Sequence, residues 1–164
     1  MTKTNKGVTI VEIILYVGLI SIFIISLVEV FVTAANFKLE SESASTIQSD
    51  SQFIFSKLMN DVMEADSISQ PGTLGTTANS LTFSSGGVIY TYSLNIDGDL
   101  IRSRTGESLK LNSLDTKLTS ITFKRLGNTG DPPTVQVNCD VESRITKQGG
   151  VVDTRSFQTT LGLR

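Results

Sequence analysis

The sequence contains no histidine and no tryptophan. Without an imidazole, histidine general-base catalysis, Ser-His-Asp chemistry and histidine metal ligation are excluded. The single cysteine, Cys139, can close neither an intramolecular disulfide nor a cysteine zinc site. A basic excess is also missing: 14 Lys and Arg stand against 16 Asp and Glu, a net charge of -2. With no surplus to neutralise phosphates, nucleic acid is not indicated as a partner. No Gly-rich phosphate loop follows a strand and opens a helix. Acid pairs such as Asp97/Asp99 are ordinary for a chain this size, so no catalytic residue, cofactor or metal is assigned. Helix breakers are scarce over one long stretch, with neither Gly nor Pro between residues 19 and 70. The overall content, 39% apolar and 18% charged over 164 residues, is that of an ordinary globular domain.

The apolar residues are not spread evenly. Residues 1–7 are polar, with Lys3 and Lys6 as their only charges. From Val8 the chain reads VTIVEIILYVGLISIFIISLVEVFVTAANF, and residues 13–28 carry no charge. That uncharged run alone reaches roughly 24 Å as a helix, short of the roughly 30 Å hydrocarbon core. Starting at Val8 lengthens it to roughly 32 Å, which spans. A spanning helix therefore includes Glu12. A carboxylate at mid-bilayer costs about 2.5–3.5 kcal/mol on insertion scales. Glu12 lies about a turn from the start, close to the headgroups. Lys3 and Lys6 on the short flank place the N-terminus in the cytoplasm by the positive-inside rule. Competing readings are a plain uncleaved anchor and a secretory signal cut near Val32-Thr33-Ala34. The apolar run is long for the latter, and Glu29 sits badly before the cut.

The string Lys6-Gly7-Val8-Thr9-Ile10-Val11-Glu12, followed by an unbroken apolar helix, resembles the processing motif of type IV prepilins and pseudopilins. Two departures are visible: Val8 stands where the family most often has Phe, and the apolar helix has no Pro. The resemblance implies cleavage after Gly7 by a prepilin peptidase and N-methylation of the new terminus at Val8. It implies polymerisation with other pilin or pseudopilin subunits from an inner-membrane assembly platform. It also gives Glu12 a reason. Cleavage creates an amine at Val8, and a carboxylate at the fifth position of a neighbouring subunit would pair with it among packed apolar helices. Removal of residues 1–7 takes two lysines, leaving 12 basic and 16 acidic side chains.

Beyond residue 36 the chain turns polar but keeps helical spacing. Ala44, Ile47, Ile54, Leu58, Val62 and Ala65 recur at steps of three, four or seven. We expect one continuous helix from about Thr9 to about Ser67. Residues 8–35 would form its transmembrane, assembly half and residues 36–68 its amphipathic half. The stretch 69–77 reads as a loop. Thereafter the period becomes two, predicting strands at Ser80–Ser84, Val88–Leu94, Leu100–Arg104, Leu118–Leu126, Thr134–Thr146 and Thr154–Leu163. Turns fall at Ser85–Gly87, Asn95–Asp99, Asn128–Pro133 and Gln148–Gly150. The order is α+β, a long helix packed on an antiparallel β-sheet domain over 69–164, and it resembles the pilin-like fold.

Among polar candidates, Asn95, Asp97 and Asp99 read as a hairpin turn rather than a calcium loop, since the longer ligand series is missing. Cys139 reads as a small core residue. Arg102, Arg104, Lys124 and Arg125 are expected to face solvent. Thr9 and Ser21 are expected to bond back to helix carbonyls. The segments Val88–Leu94, Asp97–Leu100 and Leu118–Phe123 look like the J-type minor pseudopilins of type II secretion and their competence counterparts. A structural subunit, minor in copy, is what this resemblance implies. The alternative is a membrane-anchored binding domain displayed outside the membrane on an uncleaved helix.

Overall fold

The computed structural model describes residues 7–128, 132–147 and 149–163. One long helix, α1, spans Ile10–Met63. Among the described residues it is followed by nine strands: β1 (Ser67–Gln70), β2 (Thr77–Ala78), β3 (Ser80–Ser85), β4 (Val88–Leu94), β5 (Leu100–Arg104), β6 (Glu107–Lys110), β7 (Thr116–Leu126), β8 (Thr134–Ser143) and β9 (Thr154–Gly162). The fold class is α+β, as the change of period from about 3.6 to two implies. The chain divides into two compact units, Met1–Leu39 and Glu40–Arg164, taken separately below.

In the first unit the apolar side chains of α1 are exposed, with Ile10 78%, Phe23 67% and Phe31 71% accessible. The best window has a mean hydropathy of 2.6, long and apolar enough to cross a membrane. Hydroxyls inside it bond to the helix itself. Ser21 donates to the Val17 carbonyl at 2.7 Å, as expected, and Thr33 to that of Glu29 at 2.8 Å.

In the second unit the strands form two antiparallel sheets rather than one. Their orders are β1-β3-β4-β5-β6 and β2-β7-β8-β9. Helix residues Ile47, Ile54, Leu58 and Val62 are fully buried against both. Leu81, Phe83 and Tyr92 come from the first sheet, and Phe123, Val135 and Val137 from the second. The observed stripe matches the expected one except that Ala44 is only half-buried and Ser43 and Ser51 are buried in it. Ser51 satisfies its hydroxyl on the Ile47 carbonyl at 2.7 Å. Leu118 and Ile121 both point inward although three residues apart. A register shift in the β7–β8 ladder between Leu118 and Ser120 makes this possible.

Three expectations are corrected. The helix stops at Met63, and residues 67–70 are strand rather than helix or loop. The helix end is closed by the β3–β4 turn: Ser85 Oγ donates to the Glu64 carbonyl, and the Gly86 amide to Asp66 Oδ2, each at 2.8 Å. The presumed loop over 69–77 contributes strand residues at both ends, Thr77 pairing with Lys124 and Ala78 with Phe123. A further hairpin partner, β6, extends the first sheet. Parts of the expected turns at 128–133 and 148–150 lie outside the described residues.

Candidate functional site

The residues singled out by the N-terminal motif sit at the start of α1. Lys3 and Lys6 lie outside the described residues. Gly7 and Val8 precede the helix, and Val8 is 63% exposed. Thr9 does not bond back to a helix carbonyl; it is the N-cap. Its Oγ1 accepts the Glu12 amide at 3.3 Å, and its carbonyl accepts the Ile13 amide at 3.2 Å. This satisfies helix-terminal donors that have no partner inside the helix. The spacing Thr-x-x-Glu was legible as a capping box. Glu12 occupies the first turn, where a negative charge is favoured by the helix dipole. Its Oε1 accepts a hydrogen bond from the Tyr16 hydroxyl at 3.2 Å. Tyr16 was not foreseen as a partner, although a separation of four on a helix is the signal for it.

The polar clusters of the second unit are built differently. Asp61 Oδ2 accepts the Tyr92 hydroxyl at 2.5 Å, and Oδ1 accepts Lys57 Nζ at 2.9 Å. Arg102 Nε lies 2.6 Å from Oδ2 without aiming its N–H at the oxygen, so the contact is one of charge rather than a directed hydrogen bond. Arg102 also lies over the Tyr90 ring, 4.5 Å from its centroid. It therefore does not face solvent as expected. Burial pushes the Asp61 carboxyl upward, but the Tyr92 and Lys57 hydrogen bonds and the Arg102 charge outweigh it, and the net shift is downward. The Tyr92 phenol is driven up, first by burial and then by its bond to Asp61.

Arg125 is a second correction. Its Nη1 donates to the carbonyls of Ile68 and Pro71 at 3.2 Å and of Gly72 at 2.9 Å. Arg104 does stay outside, paired with Glu107 at 2.8 Å. The 95–99 segment is a turn: Asn95 Oδ1 accepts the amides of Asp97 at 3.0 Å and Asp99 at 2.7 Å. Asp99 Oδ1 is occupied by Lys110 at 2.8 Å and by Arg144 and Asn112 at 3.3 Å. Lys110, foremost, holds that carboxyl below its ordinary range. Among the described residues no group of three His, Cys, Asp or Glu is placed to hold a metal. Cys139 is free and 2% exposed, its thiol pushed up to about 12 by burial.

No family model, curated protein or solved structure matches the chain. The architecture, a long N-terminal helix with an apolar first half and a C-terminal domain of antiparallel sheets, is compatible with a pilin-like fold. The helix is consistent with a membrane anchor.

Proposed function

We propose that this chain is a structural subunit, minor in copy, of a type IV pilus, a type II secretion pseudopilus or a competence filament. It is made with a leader, inserted in the inner membrane with the N-terminus in the cytoplasm, and cleaved after Gly7 by a prepilin peptidase. Val8 becomes the methylated N-terminus. The helix then carries the subunit from the lipid bilayer and its assembly platform into a filament of like subunits, with the sheet domain outside the membrane. The minor status rests on the likeness of the strand segments to J-type pseudopilins, which is an analogy of pattern.

The observation that supports this most is the placement of the motif. Gly7 and Val8 are exposed ahead of a helix capped by Thr9. Glu12 sits in the first turn of a long helix whose apolar side chains in the first unit are exposed. A free amine at Val8 and the carboxylate of another copy are each costly in a low dielectric and tolerable together. Pairing them across copies would set the axial register of each new subunit.

Mass spectrometry of the purified N-terminus tests the processing step. A methylated Val8 supports the proposal. An intact Met1 supports a membrane-anchored binding domain instead, and a start at Ala35 an ordinary secreted protein. Glu12→Ala tests the assembly step: insertion and cleavage persist while incorporation into filaments falls. Normal incorporation refutes the pairing role.

A further inference from the structure

Glu12 and Tyr16 share one face of α1, four residues apart. Both are exposed, Tyr16 at 52%, and the Tyr16 hydroxyl donates to Glu12 Oε1 at 3.2 Å. In hydrocarbon no water replaces a missing partner, so a lone carboxylate is carried at high cost. Glu12 could close the capping box on the Thr9 amide, but it takes its bond from Tyr16 instead. Tyr16 reaches back one turn along the same helix face to meet this carboxylate. Val8 lies four residues before Glu12, the spacing at which an amine could fold back onto the same chain's acid if the helix reached it. The Thr9 cap starts the helix at Ile10 and leaves Val8 outside it. A carboxylate accepts bonds at both oxygens, so the Tyr16 bond leaves Oε2 available.

We propose that Tyr16 is a positioning residue for Glu12: its hydroxyl partners the acid within the lipid and presents the second carboxylate oxygen to the amine of a neighbouring copy. The intrachain half stands on the observed hydrogen bond. The role of the second oxygen rests on the filament reading above.

The test uses the full chain in vesicles of phosphatidylethanolamine and phosphatidylglycerol. Solid-state NMR with labelled Glu and Tyr reads the through-space contact between the Glu12 carboxyl carbon and the Tyr16 ring carbon bearing the hydroxyl. A cross-peak is expected, and its absence overturns the proposal. A double-mutant cycle on the inserted fraction then separates partnering from simple hydropathy. Tyr16→Phe is expected to lower insertion about threefold or more relative to its effect in a Glu12→Leu background. An equal effect in both backgrounds overturns the inference. These readouts need no filament. If the contact and coupling hold but Val8 is never exposed by cleavage, the filament reading fails and the intrachain role of Tyr16 stands. If filaments form normally and the coupling is absent, the reverse is true.

Discussion

Replacing Asp61 by Ala removes the one carboxylate that accepts from Tyr92 and Lys57 and offsets the charge of Arg102. Tyr92 is fully buried and the Arg102 side chain is 16% exposed, so water cannot easily take the place of the carboxylate for either. Lys57, at 33%, can turn outward. Stranding one partner of a buried pair costs about 3–5 kcal/mol. The partial exposure of Arg102 puts this site at the lower end, about 3 kcal/mol. For a folding unit of this size that is a fall in Tm of roughly 10 °C. The assay is thermal unfolding of the full chain in detergent micelles, followed by near-ultraviolet circular dichroism of the buried tyrosines. Replacing the two buried charges, Asp61→Leu with Arg102→Met, should recover at least half of the loss, because the remaining Lys57 can turn to solvent and no buried ion is left uncompensated. The pH profile carries the sign. Asp61 is depressed in the folded state, so its contribution is present above the ordinary carboxylate pKa and is lost as pH falls through the folded value. Tyr92 is raised, so its contribution is present below the ordinary phenol pKa near 10 and is lost as pH rises beyond it. A Tm change under about 2 °C for Asp61→Ala, or a double variant weaker than the single one, would refute the account of this cluster.

Other consequences are open to direct measurement. Arg125→Met deletes three bonds to the 68–72 carbonyls and should raise hydrogen exchange there by tenfold or more while leaving β8 protected. Gly98→Ala places a Cβ 2.9 Å from that of Lys117, at a φ of +80°, and should cost about 1–3 kcal/mol in chemical denaturation. Cys139 should resist a thiol reagent at pH 8 in the folded protein and react only on unfolding, because burial holds it protonated. Thr9→Val removes the side-chain acceptor for the Glu12 amide and should fray the first turn by about 1 kcal/mol, read as faster amide exchange at residues 10–13.

The parts of the fold that were legible are those with a strong period. Val88–Leu94 and Leu100–Arg104 appear with the expected bounds, and the continuous helix follows from an unbroken stretch without Gly or Pro. The missed strands have physical reasons. β6 is an edge strand, largely exposed along its length, so it has no alternation to read; only the turn at Thr105-Gly106 marks it. β2 is two residues long, and β1 buries Ile68 alone. That the strands divide into two sheets follows from pairing partners distant in sequence, such as Thr77 with Lys124, which no local pattern encodes. At the motif, the Thr9 cap and the Tyr16–Glu12 bond were both available from spacing alone. The charged partner proposed for Glu12 would belong to another copy, which one chain does not contain.

The two misplaced arginines show why charge is a weaker guide than parity. Leu100 faces the core, so period two puts Arg102 on the same side, and the pairing of Tyr92 with Arg102 holds it there. Ile121 and Phe123 likewise carry Arg125 inward. In both cases the guanidinium is admitted beside oxygens that compensate it: the charge of the Asp61 carboxylate for one, three carbonyls at Nη1 for the other. The same rule applied to Glu12 leads to the opposite situation. One of its oxygens has a partner on its own helix, while the surrounding side chains are exposed and apolar. The sheet unit partners Asp61, Asp99 and the Nη1 of Arg125 internally. Among the described residues, the first turn of α1 shows one partner for the Glu12 carboxylate, Tyr16, on an exposed apolar stretch of helix. The cation of the proposed filament would meet the acid at its other oxygen.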